Sequence, residues 1–165
     1  MPFIVLIEFP FPSFYNFASD NFDELMAKRK LILEYDFDFI LLGIACYSKD
    51  YMLCSAINNK LNIDLMKVDD LVLIDSKTKQ SSGFSMFSYV DEDSIEYHVL
   101  ANVGSNKSFL IPEHEKFDYF LIIKNTNSDY DVDAQMKELK EIQIVILINK
   151  IIPVNLKSKG NLILD

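Results

Sequence analysis

The chain has 165 residues, half of them apolar and a quarter charged, with a net charge of −9 at pH 7 and a pI near 4.7. That length predicts one domain with enough apolar material for a sizeable core. The acidic balance excludes the basic face of a nucleic-acid binder, the one basic run being Lys28-Arg29-Lys30, and it implies repulsion from phosphate and anionic lipid. The longest apolar run, residues 39–47, is less than half of the roughly 20 residues that a membrane helix needs, so no membrane span is expected.

Residues 1–25 differ from the rest. They hold six of the 13 phenylalanines and three of the five prolines, and no lysine or arginine. A secretory signal needs a positive start and an unbroken apolar stretch; Phe3-Ile4-Val5-Leu6-Ile7 is interrupted by Glu8 and then by prolines. The expectation is a non-native or disordered N-terminal extension over 1–25, with Met26 as the natural start and 26–165 as the domain. The competing reading is an apolar arm that covers a sheet edge or a partner.

Residues 30–35 read as a strand with Leu31, Leu33 and Tyr35 on one face, broken by Asp36-Phe37-Asp38-Phe39. Residues 39–46 are apolar and fit either a strand or a buried helix. Ser48 is a good N-cap for a helix over 49–61, with Tyr51, Cys54, Ile57 and Leu61 on one face and Asn62 at its end. A short strand is expected at 70–75 and an exposed loop at 76–83. Residues 84–90 and 95–103 alternate apolar and polar around Asp91-Glu92-Asp93-Ser94, which predicts a hairpin. After a turn at 104–108, residues 119–124 are apolar on both faces and predict a central strand. A short helix at 134–141, a strand at 142–148 and a last strand at 162–164 complete the chain. Hairpins in the middle and two clear helices predict a single α+β domain with a largely antiparallel sheet.

The chemistry-bearing residues are few. Cys46 and Cys54 form no CxxC pair and read as reduced, buried thiols of a cytoplasmic protein. Asp129-Tyr130-Asp131-Val132-Asp133 begins like a calcium loop, but the sixth and twelfth positions are Ala134 and Lys140 where Gly and Glu are needed; Asp131 or Asp133 as a helix cap is the better reading. His98 and His114 lack metal-ligand spacing. Four glycines cannot build a phosphate loop or a dinucleotide fingerprint, and no nucleophile motif is present. No cofactor and no metal are expected.

One segment stands out, Ile111-Pro112-Glu113-His114-Glu115-Lys116-Phe117-Asp118-Tyr119, running into the apolar strand. Pro112 extends Ile111 and, with Glu113 and Glu115 behind it, favours one helical turn. The segment therefore sets the entry of a central strand. Alternatively Glu113, Asp118 and Tyr119, with Pro112, converge on a ligand.

Ile111-Pro112-Glu113, three residues, then Phe117-Asp118-Tyr119 resembles the signature of the bacterial IPExxxVDY family, with Phe117 in place of Val. Further segments are similar to that family: Asp38-Phe39 through Gly43-Ile44, Lys49-Asp50-Tyr51 with Leu53-Cys54, the stretch from Asn58 to Leu61, and Leu156-Lys157-Ser158-Lys159 with Asn161-Leu162. The resemblance runs from about Met26 to the C-terminus. It implies a small cytoplasmic protein and supplies no catalytic residues. The expected function is a non-catalytic interaction or accessory protein acting through an unknown protein partner or as a homo-oligomer. The alternative is a small-molecule binding domain or enzyme with its site around Ile111 and Tyr119.

Overall fold

The computed structural model describes residues 37–75 and 78–164. The expected strand at 30–35 and the readings of residues 1–25 lie outside the described residues. Those described form an α+β unit in which eight elements follow one another. These are β1 (Ile40–Cys46), α1 (Asp50–Leu61), β2 (Met66–Ile74), β3 (Ser81–Val90), β4 (Glu96–Ala101), β5 (Tyr119–Lys124), α2 (Val132–Lys140) and β6 (Val145–Ile151). The strands make one sheet in the order β2-β3-β4-β5-β1-β6, and every neighbouring pair is antiparallel.

The two strands richest in apolar residues, β1 and β5, lie beside each other in the middle, with Leu42 opposite Leu121. Their side chains alternate between two cores. Leu42, Ile44, Leu121 and Ile123 face one side, where Leu53, Cys54 and Ile57 of α1 and Leu139 of α2 pack on them. Leu41, Phe120 and Ile122 face the other side, where the cover is irregular chain carrying Leu110, Ile111, Phe117, Leu156 and Leu162. Burying each such side chain contributes about 1.5–3 kcal/mol against the cost of ordering the chain. Both faces of the central strands are thus dry, and residues 39–46 resolve as a strand because α1 and the loops enclose them from opposite sides.

Several boundaries differ from the sequence reading. Helix α1 begins at Asp50, and the residue before it, Lys49, makes no side-chain cap; Ser48 does not cap it. The Ser48 carbonyl is occupied by Tyr119 instead. Tyr51 is 58% exposed and Leu53 takes its place on the buried face. At the other end Asn62 ends the helix in the left-handed conformation with φ 53°. Strand β2 reaches back to Met66, well before residue 70, because β3 pairs with it as far as Ser88. The loop expected over 76–83 shortens because Ser81 and Ser82 already belong to β3. Ile142 belongs to the turn after α2, so β6 starts three residues later than expected. Residues 162–164 are not a strand: Lys159–Leu162 forms a short 3-10 turn that lays Leu162 on the second core. Asp131 caps α2, accepting the N–H of Ala134 at 2.9 Å.

Cys46 and Cys54 are both buried and free. Burial, assisted by the charge of Asp50, raises the Cys54 thiol to about 12, which keeps it protonated. Among the described residues no helix is long and apolar enough to cross a membrane.

Candidate functional site

The loop between β4 and β5 is organised by Asn102, which has no solvent exposure. Its backbone N–H donates to the Asp118 carbonyl, and its own carbonyl accepts from Leu110, each at 2.8 Å. The side-chain amide donates to the carbonyls of Phe117 and His114 at 2.9 and 3.2 Å and accepts the Ile111 N–H at 2.9 Å. One buried amide therefore satisfies the backbone of a loop that would otherwise carry orphaned polar groups into the core. Pro112 opens the helical turn Pro112–His114 expected of it, and Ile111 before it lies outside the helical region at φ −124°, ψ 87° and is fully buried.

The Glu113, Asp118 and Tyr119 side chains each reach a distant segment of chain, and the structure does not bring the three together. The Glu113 carboxylate accepts both the N–H and the hydroxyl of Ser158 at 2.8 Å, pinning the C-terminal segment. Partial burial works to raise this carboxyl, but the hydrogen bonds from Ser158 and the neighbouring backbone outweigh it and hold the group below its ordinary range. Asp118 accepts the N–H of Cys46 at 2.8 Å and so closes the end of β1. The Tyr119 hydroxyl donates to the Ser48 carbonyl at 2.7 Å, between β1 and α1. Burial, with the nearby charge of Asp50, raises its pKa, so it stays a donor. Phe117 lies flat against Gly43, where an added Cβ would come within 2.5 Å of the ring. Glycine at 43 is what allows an aromatic ring at 117.

A cleft of about 380 Å³ opens beside this loop. Glu113, His114, Lys116 and Phe117 form one wall; Asn149 to Ile152 at the end of β6, with Asn155 and Lys157, form the other. A second cleft, of about 450 Å³, lies between the β2–β3 connection and the turn after β4. Its hydroxyls bond to one another, Ser82 to Asn106 at 2.6 Å and Ser108 to Ser82 at 2.9 Å.

His98 is only 8% exposed and lies in a chain of polar groups that sequence reading did not anticipate. Its Nε2 donates to the Glu96 carboxylate at 3.2 Å, which leaves Nδ1 to accept the Ser88 hydroxyl at 2.8 Å. Glu96 accepts in turn from Asn125 at 3.0 Å. A hydroxyl beside a neutral imidazole is the start of a nucleophile, but neither Ser88 nor His98 stands in the wall of either cleft. Burial, and then the charge of Lys124, lowers the His98 pKa, while Glu96 pulls the other way. The signal for this cluster was the placement of Ser88 and His98 on facing hairpin strands, where they pair directly. Among the described residues no group of three or more His, Cys, Asp and Glu side chains could hold a metal ion. Comparison of the chain with protein-family models, curated proteins and solved structures finds no match.

Proposed function

We propose that this is a non-catalytic cytoplasmic accessory protein that works by self-association, one copy pairing with another along β6, an edge strand among the described residues. The motif spacing supports reading it as a relative of the IPExxxVDY family, which brings no catalytic residues. The observation that carries the proposal is the contrast between the two edges of the sheet. An edge strand offers unpaired N–H and C=O groups, and soluble proteins blunt it with charges and bulges. Strand β2 is blunted in its middle, where the bulge between Val68 and Leu71 contains Asp69 and Asp70 and is flanked by the Lys67–Asp70 ion pair. Strand β6 bulges only at its start, around Ile146, and leaves Leu147 to Ile151 regular with one charge, Lys150. Both edges expose apolar side chains, Met66, Val72 and Ile74 on β2 and Ile146 and Leu147 on β6, so the contrast lies in the central bulge and charges.

Antiparallel pairing centred on Asn149 sets Leu147 opposite Ile151 and Lys150 opposite Ile148 of the second copy. No like charges then lie directly opposite, and the two-fold arrangement closes on itself. Sedimentation velocity over a concentration series tests this. The wild-type chain is expected to dimerise. Asn149→Lys, which sets two ammonium groups face to face at the dyad, is expected to be monomeric, while Asn59→Lys on the exposed side of α1 dimerises like the wild type. A wild-type monomer at every concentration overturns the proposal.

A further inference from the structure

We infer that the cleft beside the Ile-Pro-Glu loop is a binding site for a small anion bearing carboxylate or phosphate groups. At about 380 Å³ it lies within the range, about 300–1,000 Å³, of small-molecule sites. Its walls carry Lys116, Lys157 and His114 against a single carboxylate, Glu113, while Lys150, opposite Leu42, borders the cleft from the strand with its side chain on the helix-covered face. Both oxygens of that carboxylate are held by Ser158. On a chain of net charge −9 this is a local reversal of sign. Among the described residues two lysines make ion pairs, Lys60 with Glu141 and Lys67 with Asp70. Lys116 and Lys157 take part in no ion pair among the described residues. Cationic groups converging on a concave, partly apolar surface focus their field on an anion and make charge-assisted hydrogen bonds to it.

The Lys116 ammonium lies 5.0 Å from the centroid of the buried Phe117 ring and the His114 ring 5.9 Å from it. The accessible apolar surface in the walls comes from exposed Ile152, and apolar surface beside cations suits a ligand with a carbon skeleton and anionic ends. Asn149 and Asn155, both exposed in the walls, add neutral donors and acceptors. His114 and Lys116 occupy positions between the residues that shape the loop, so they can face a ligand while Glu113, Phe117 and Asp118 hold the backbone.

The test is a titration of the full chain with citrate and, separately, with inorganic phosphate at constant ionic strength, followed by amide chemical shifts. Saturable shifts confined to residues 113–117 and 149–157 are expected from at least one anion. Saturation by citrate alone identifies a carboxylate ligand, and by phosphate alone a phosphorylated one. Lys116→Ala and Lys157→Ala are each expected to weaken binding about ten-fold, and the double variant to abolish saturation. Both lysines are exposed, so unfolding midpoints without anion should match the wild type; Lys79→Ala, remote from the cleft, should bind normally. Shifts that fail to saturate with either anion, or a double variant that binds as tightly as the wild type, overturn the inference.

Discussion

His98 on β4 and Asn102, just past its end, belong to the face that period-two alternation over residues 95–103 marks as the wet one. In the stretch 95–103 the apolar residues Ile95, Tyr97 and Val99 share one face, while Glu96, His98 and Asn102 share the other. Alternation reports one buried face only. It cannot register that residues far along the chain come back to cover the second one, where both polar side chains are buried and bonded. The partners of the motif residues were hidden for a related reason. Glu113 meets Ser158 45 residues on, and Asp118 and Tyr119 meet Cys46 and Ser48, 72 and 71 residues back. Asn102→Ala is expected to cost about 3 kcal/mol or more, since it orphans buried groups of three other residues; urea unfolding measures it. The His98 ring is held neutral by burial, so its folded pKa lies below the ordinary 6.5 that unfolding restores. Unfolding then takes up a proton in the interval between the two values. The associated stability is complete above about pH 6.5 and declines as pH falls toward the lowered folded value. His98→Gln is expected to shrink the loss of melting temperature between about pH 7.5 and about pH 5.5. An unchanged loss would assign the titration to another group.

Elements were legible where one pattern dominated. The stretch 119–124 is apolar at successive positions, and burial on both faces follows wherever it is placed centrally. Helix α2 was legible because Asp131 stands ahead of a helix-forming run and can satisfy the first N–H groups. The start of α1 was misread because Ser48 is drawn into the β1–α1 turn, where its carbonyl serves Tyr119 and its N–H meets the Cys46 sulfur. Tertiary hydrogen bonds outcompeted a local cap preference. Gly43 and Phe117 show how two elements are fitted together by size. Gly43→Ala is expected to destabilise by about 1–3 kcal/mol through overpacking against the ring, and Phe117→Val by a similar amount through lost contact. The double variant should lose less than the sum, because the smaller side chain accepts the added methyl. A double-mutant cycle in urea detects this coupling, and strict additivity would show that the close approach does not determine packing here. Tyr119→Phe, which only removes the bond to Ser48, is expected to cost about 1 kcal/mol in the same assay.

At the scale of the molecule the two cores are unequal. Two helices cover one face of the sheet, whereas irregular segments cover the other, pinned by Glu113 to Ser158, Asn161 to Leu110 at 2.8 Å and Lys124 to Leu164 at 3.3 Å. A cover held by a few side-chain hydrogen bonds should open at a lower free energy than the helix layer. Native-state amide exchange is expected to show residues 153–164 opening before α1, and Ser158→Ala to speed that opening alone. Because the Glu113 carboxyl sits below its ordinary 4.5, its hold is present above that value and is lost as pH falls through the lowered one. Exchange in this segment should therefore quicken first on acidification. Uniform protection across both faces would contradict this ranking.

Composition and periodicity determined the class of the molecule: apolar runs without interruption, hairpin alternation and two capped or amphipathic stretches specify an antiparallel α+β unit, because each is a local property of neighbouring residues. They also marked the loop from Ile111 to Tyr119 as unusual. Only the tertiary structure decided what surrounds that loop. Which side chains reach which backbone, which face of the sheet is covered by returning chain and where lysines gather around a cleft all depend on residues far apart in sequence, and no local pattern encodes those meetings.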